Sequence, residues 1–143
     1  MSLKRVSPQE ARELMEKEGY VYVDVRSIPE FEAGHPQGAY NVPLLHMGPH
    51  GMSPNPEFLD VMQRNFAKDD KLVVGCKAGG RSLQATNLLA SSGFTNVVDQ
   101  RAGFEGAGGP GGGSEPGWRP GGLPVSTQAG PGHAYEALQS KPR

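Results

Sequence analysis

Apolar and polar residues change period along this chain, and the changes mark out strands and helices. Leu3 to Val6 reads as a short strand. Ser7-Pro8-Gln9-Glu10 follows as a capping box with proline at the first helical position; Ala11, Leu14 and Met15 form a helical apolar face and Gly19 supplies the stop. Tyr20 to Val25 is a buried strand, and Asn55-Pro56-Glu57 starts a helix whose core face is Phe58, Leu59, Met62 and Phe66. Lys71 to Gly75 is the next apolar run. Beyond Arg81, the positions Leu83, Thr86, Leu88 and Leu89 continue a helix that Gly93 ends. Strands that alternate with helices imply an α/β fold, with a mainly parallel sheet covered on both faces.

The pattern breaks in two places. Leu44 to Ser53, interrupted by Gly48 and Pro49, reads as a loop. Glu105 to Gly117 has low complexity and no apolar period, so a mobile surface loop is expected there. Its glycines satisfy Gly-x-Gly-x-x-Gly, but a dinucleotide fingerprint must open a helix and be followed by an acidic residue about 20 positions on. This stretch instead contains Pro110 and runs into Pro116. The expected organisation is one domain over residues 1–126 with the Gly-rich insertion at about 105–117, then a tail, 127–143, that forms a short helix or stays disordered.

Cys76 is the only cysteine, and it sits where the apolar run 71–75 stops. The segment Cys76-Lys77-Ala78-Gly79-Gly80-Arg81-Ser82 then leads straight into a helical pattern. A strand that ends in a short Gly-bearing loop and enters a helix aims free backbone N–H groups and the positive end of the helix dipole at one point. With Lys77 and Arg81 alongside, that arrangement favours a thiolate at Cys76. Four residues separate Cys76 from Arg81, so the loop has six members. One more would widen the ring of N–H groups until a tetrahedral phosphate oxyanion fits; six suit a persulfide.

Three further stretches agree with this loop. Val23-Asp24-Val25-Arg26 closes a strand, Phe31-Glu32-Ala33-Gly34-His35-Pro36-Gln37-Gly38-Ala39-Tyr40-Asn41-Val42-Pro43 follows it, and Gly93-Phe94-Thr95-Asn96-Val97 succeeds the loop helix. Together they resemble single-domain rhodaneses, the sulfurtransferases, with Pro36 standing where that family usually has isoleucine. Ala102-Gly103-Phe104, Trp118 and Gly122-Leu123-Pro124-Val125 resemble the two ends of a later family element, separated here by the insertion.

The resemblance implies a rhodanese-like α/β fold with a mainly parallel five-stranded sheet and helices on both faces. It also implies a thiosulfate sulfurtransferase activity in which Cys76 takes a sulfane sulfur from a small anionic donor and passes it to cyanide or to a thiol such as glutathione, thioredoxin or a protein cysteine. Lys77, Ala78, Gly79, Gly80, Arg81 and Ser82 would bind the donor and stabilise the persulfide. Ser82 would cap the helix or give its hydroxyl hydrogen bond to the sulfur. Arg26 and Glu30 are read as a structural ion pair bracketing the loop after the second strand, Asp24 as a loop-former near the site, and His35 as a hydrogen-bonding member of a shaped loop. A persulfide carrier, a non-catalytic binding module of the same fold, and a cysteine phosphatase or arsenate reductase are the alternatives.

Composition narrows the picture further. Fourteen Lys plus Arg against fifteen Asp plus Glu give a net charge of −1, which makes no case for nucleic acid or an acidic membrane surface. No apolar stretch approaches the ~18 residues of a membrane span, and Met1 to Pro8 lacks the apolar stretch of a signal peptide. A lone cysteine forms no internal disulfide, so the expected compartment is cytoplasmic and the sulfur acceptor external. His46 and His50 have metal-like spacing, but Gly48 and Pro49 lie between them and no cysteine or acid is at hand. No metal or cofactor is expected. His46 or Met47 would instead touch substrate at the rim of the mouth.

Overall fold

The computed structural model describes residues 4–107 and 115–140. Its centre is a sheet in the order β1 (Arg5–Val6), β8 (Val97–Gln100), β7 (Leu72–Gly75), β2 (Val21–Asp24) and β4 (Tyr40–Asn41), with every pairing parallel. Parallel neighbours need crossovers, and the chain supplies α1 (Pro8–Glu18), α2 (Ile28–Ala33), α3 (Phe58–Asn65) and α4 (Gly80–Ser91). The α1 capping box forms as its letters suggest. Ser7 Oγ accepts from the Glu10 amide, the Glu10 carboxylate accepts from the Ser7 amide, and Gly19 ends the helix at φ 74°.

The two-residue period of β2 and β7 divides the interior into two cores. Val23, Val25, Leu72, Val74 and Cys76 face α3 and α4 on one side, while Tyr22 and Val73 face α1, Phe31, Phe104 and Trp118 on the other. Both faces of the sheet are therefore covered, and the strands read as unbroken apolar runs for that reason. Cys76 lies one residue past β7, on the α3/α4 side, at the carboxyl end of the central strands.

Several elements differ from the expectations above. The first strand is Arg5–Val6; Leu3 lies outside the described residues. The loop helix begins at Gly80, before Arg81, and buries Ser82, Ala85, Thr86 and Leu89, whereas Leu88 faces solvent at 40% exposure. Leu44 to Ser53 is no open loop. β5 (Leu45–Gly48) and β6 (Gly51–Pro54) form an antiparallel hairpin through the Gly-Pro-His-Gly turn, pairing Met47 with Met52.

The ends of the Gly-rich insertion also pair, as β9 (Gly106–Ala107) against β10 (Glu115–Pro116), with Arg101 bridging to Glu115 and Arg119 to Glu105 at the base. The middle of that insertion, 108–114, lies outside the described residues. Trp118, beyond it, is buried edge-on against Tyr22 and donates its indole N–H to the Pro124 carbonyl at 2.6 Å. β11 (Val125–Ser126) then pairs antiparallel with β3 (His35–Pro36). The segment after it ends in α5 (Tyr135–Gln139), whose Tyr135 and Leu138 pack into the α3/α4 core. None of the described helices is long and apolar enough to cross a membrane.

Trp118 anchors the chain beyond the insertion to the sheet. Trp118→Ala should cost about 3–5 kcal/mol, read as a lowered urea midpoint; an unchanged midpoint would mean that the C-terminal segment does not contribute to the core.

Candidate active site

The sulfur of Cys76 is held by main chain. β7 delivers the residue to the sheet edge, the chain turns through Lys77, Ala78 and Gly79, and α4 starts at once. Cys76 Sγ accepts from the amides of Gly79 at 3.1 Å and Ser82 at 3.2 Å, and the residue is only 2% exposed. The N–H groups of Lys77, Ala78, Gly80 and Arg81 have no backbone acceptor among the described residues. A first helical turn leaves such donors unpaired, and they point the positive end of α4 at the loop.

Two glycines allow this curvature. Gly79 sits at φ 104°, and a Cβ there would strike the Arg101 carbonyl; Gly103 sits at φ 72°, and a Cβ there would strike the Lys77 carbonyl. Backbone thus packs directly on backbone, and the contact is tied by hydrogen bonds from the Phe104 amide to the Cys76 carbonyl at 2.7 Å and from the Glu105 amide to the Lys77 carbonyl at 3.0 Å. Buried Gln100 fastens the turn beneath. Its Oε1 accepts from the Ala102 and Gly103 amides at 2.8 Å each, and its Nε2 donates to the Gly103 carbonyl and the Tyr22 hydroxyl. Burial pushes the Tyr22 phenol up, so it stays neutral beneath the site.

Ser82 gives its amide, not its hydroxyl, to the sulfur. The hydroxyl donates to the buried carboxylate of Asp99 at 2.5 Å and also lies 3.2 Å from the Gly79 carbonyl; Arg5 Nε holds the other Asp99 oxygen at 2.6 Å. Of the two cations in the loop, Arg81 is engaged, because it grips Glu30 with two hydrogen bonds of 2.7 and 3.0 Å. Lys77 is exposed and has no ion pair among the described residues. A cleft of about 260 Å³ opens beside it, lined by Glu30, Lys77, Phe104, Glu105 and Arg119 among others.

A sequence model of the Rhodanese-like domain matches residues 7–107, well over half of the chain. The chain belongs to the rhodanese-like family. It is 46% identical over 86 residues to Thiosulfate sulfurtransferase 16, chloroplastic, of Arabidopsis thaliana, a match covering 60% of this chain and 72% of that protein. To the Senescence-associated protein DIN1 of Raphanus sativus it is 44% identical over 94 residues, covering 66% of this chain and 51% of the relative. The chain therefore spans about half the length of that second protein. Among solved structures, Rv0390 from M. tuberculosis aligns with a TM-score of 0.73 at 26% identity, covering 90% of this chain and 100% of its own. The human single-domain sulfurtransferase TSTD1 aligns at 0.55 and 31% identity, covering 72% and 93%.

Within this rhodanese-like site the structure brings together Cys76, Lys77, Ala78, Gly79, Gly80, Arg81, Ser82 and Glu30, and it redistributes the expected ion pairs. Arg26 does not pair with Glu30. Arg26 chelates Asp24, two positions earlier, with Nη2 at 2.8 Å, donates to the Gly34 carbonyl at 2.6 Å and lies over the Phe104 ring. That geometry wins because Asp24 and Arg26 bracket one residue at a buried strand end, while Glu30, on the first turn of α2, points across the loop to Arg81. His35 is buried and stacked on Phe31, with its ring nitrogens against the Phe31 and Gln128 carbonyls, away from the loop. Met47 stays exposed on its hairpin, and His46 packs against Tyr135. Asp99, Gln100 and Arg5 were not singled out by the sequence. Their one signal is a pair of polar residues, Asp99-Gln100, closing an apolar strand.

Burial alone would raise the Glu30 carboxyl, but hydrogen bonds from Arg81 and Ser27 outweigh it and hold it at about 2. A carboxyl lowered in this way stabilises the folded chain above its unfolded value near 4.5, and that stability is lost as pH falls through about 2. Urea titrations between those limits should show a smaller acid loss in Glu30→Gln than in the parent; equal losses would mean that the pair does not form in solution.

Proposed function

We propose that the protein is a sulfurtransferase that carries a sulfane sulfur on Cys76. The observation supporting this most directly is the sulfur of Cys76 at the focus of the Gly79 and Ser82 amides, with further loop N–H groups that have no backbone acceptor among the described residues. Hydrogen bonds to a charged acceptor are the strong ones, so this cradle favours a sulfur anion. In the first half-reaction the Cys76 thiolate attacks the outer sulfur of a donor such as thiosulfate. The S–S bond of the donor breaks, sulfite leaves with the electron pair, and Cys76 is left as a persulfide anion. In the second, an acceptor thiolate or cyanide attacks the outer sulfur, and Cys76 departs as thiolate.

Ring size supports sulfur over phosphoryl chemistry, since the loop from Cys76 to Arg81 has six members. The free N–H groups of Lys77, Ala78, Gly80 and Arg81 would receive the extra sulfur. One well-aimed donor is worth about 10² to 10³ in rate at comparable oxyanion sites. A glutathione-like thiol, thioredoxin or a protein cysteine is the proposed acceptor, in a cytoplasmic setting, whereas the Arabidopsis relative is named as chloroplastic.

Intact mass after thiosulfate treatment should show one added sulfur, about 32 Da, on the parent and none on Cys76→Ser, with cyanide removing the adduct. A parent that stays unmodified by thiosulfate and by an organic persulfide, although Cys76 is reduced and alkylatable, would shift the assignment to the non-catalytic binding module. Of the two loop cations, Lys77 is the one without a carboxylate partner among the described residues, so Lys77→Ala should raise the KM for thiosulfate about three- to tenfold with a smaller effect on kcat. Initial rates at low salt check this, and an unchanged KM would remove Lys77 from donor binding.

A further inference from the structure

The charges around Cys76 do not add up to an anion trap. Lys77 and Arg81 are the loop's cations, but the guanidinium of Arg81 is clasped by Glu30 at 2.7 and 3.0 Å, and both side chains of that pair are only 17% exposed. Bidentate geometry of this kind is specific and persistent. Glu30 is in turn held by the Ser27 amide at 3.1 Å and the Ser27 hydroxyl at 2.8 Å, so it does not swing away. Glu30 lines the same cleft as Lys77, which adjoins Cys76 in the chain. Asp24 and Arg26 neutralise each other, and the Glu105–Arg119 pair on the far wall does the same. Of the two loop cations, that leaves Lys77 without an ion pair among the described residues, beside the main-chain N–H groups that already hold the sulfur.

We propose that Glu30 is a charge filter: by pairing with Arg81 at the mouth of the Cys76 loop, it makes the site favour singly charged sulfane-sulfur donors, such as organic persulfide anions, over doubly charged oxyanions such as thiosulfate, sulfate and phosphate. The donor class rests on the sulfur-transfer reading above; the filter itself does not. Glu30 acts through Arg81 and is a positioning residue. It stays ionised at all ordinary pH because Arg81 and Ser27 hold its carboxyl far below the usual range.

The test uses the chain's single thiol. Alkylation of Cys76 is timed with iodoacetate, which carries one negative charge, and with iodoacetamide, which carries none, and the two rates are taken as a ratio. Changes in thiolate fraction or in access cancel in that ratio, so a merely structural role does not move it. Glu30→Gln keeps one side-chain oxygen to accept in the α2 cap and removes the charge together with the second oxygen that holds Arg81. The expected result is a ratio about tenfold higher than in the parent at low salt, shrinking towards the parent value at ~1 M salt. In the same variant, the KM for thiosulfate should fall about tenfold while that for an organic persulfide changes less than about twofold.

Ser27→Ala serves as the control, since it removes the cap hydroxyl but leaves the carboxylate and Arg81 in place. Its ratio should stay within about twofold of the parent. A Glu30→Gln ratio within twofold of the parent at low salt overturns the filter, as does a rise in Ser27→Ala equal to that in Glu30→Gln. If instead neither thiosulfate nor a persulfide ever loads Cys76, the sulfur-transfer reading fails, and the alkylation ratio still decides the filter.

Discussion

Everything about the Cys76 site depends on one close approach of backbone to backbone. The turn at Ala102–Gly103 lies directly under Lys77, and the Phe104 and Glu105 amides take the Cys76 and Lys77 carbonyls as acceptors. In a trans peptide the N–H lies opposite the carbonyl, so fixing the Cys76 and Lys77 carbonyls below turns the Lys77 and Ala78 N–H groups the other way. The Gly79 and Ser82 amides, further along the loop, reach the sulfur. The central strands are parallel and carry their carboxyl ends to one edge, so the β7–α4 junction and the turn after β8 meet there. Ligand sites in open parallel sheets commonly lie at this edge, and here the edge explains why the cysteine and its buttress meet although they are distant in sequence.

Buried polar residues secure that approach in two layers. Gln100 satisfies both amides of the turn with one side-chain oxygen, which a hydrophobic residue at that position would leave unpaired. Asp99, its neighbour, sits between the Ser82 hydroxyl and Arg5, tying β1, β8 and the first turn of α4 into one unit. Ion pairs then fall into two separate groups. Asp24 with Arg26 shapes the buried loop that leaves β2, while Glu30 with Arg81 bridges α2 to α4 across the mouth.

Local features of the chain were legible because their causes are local. The α1 capping box and its Gly19 stop, the apolar strands, and the strand–loop–helix around Cys76 all depend on residues within a few positions of one another. The Arg81–Glu30 pair was not legible, since its partners are 51 positions apart and Arg26 stands nearer to Glu30 in the chain. Asp99 and Gln100 were hidden for a similar reason: their partners lie on other strands and in the turn beneath the loop. Leu83, Thr86, Leu88 and Leu89 marked the loop helix, and its period places Ser82, Ala85, Thr86 and Leu89 inward and turns Leu88 out. The β5–β6 hairpin escaped because Gly, Met, Ser and Pro supply little strand propensity, and only the pairing across the Gly-Pro-His-Gly turn makes it a ladder.

The Ser82 hydroxyl is committed to Asp99, so the groups that touch the sulfur belong to the peptide itself. Side-chain substitution can tune what approaches this nucleophile but cannot delete the dipoles that surround it. Side chains around the loop can therefore change while the cradle persists, provided that Gly79, Gly103 and the buttressing turn remain. What is built here is a shape of the backbone, and the one side-chain atom it cannot do without is the sulfur it surrounds.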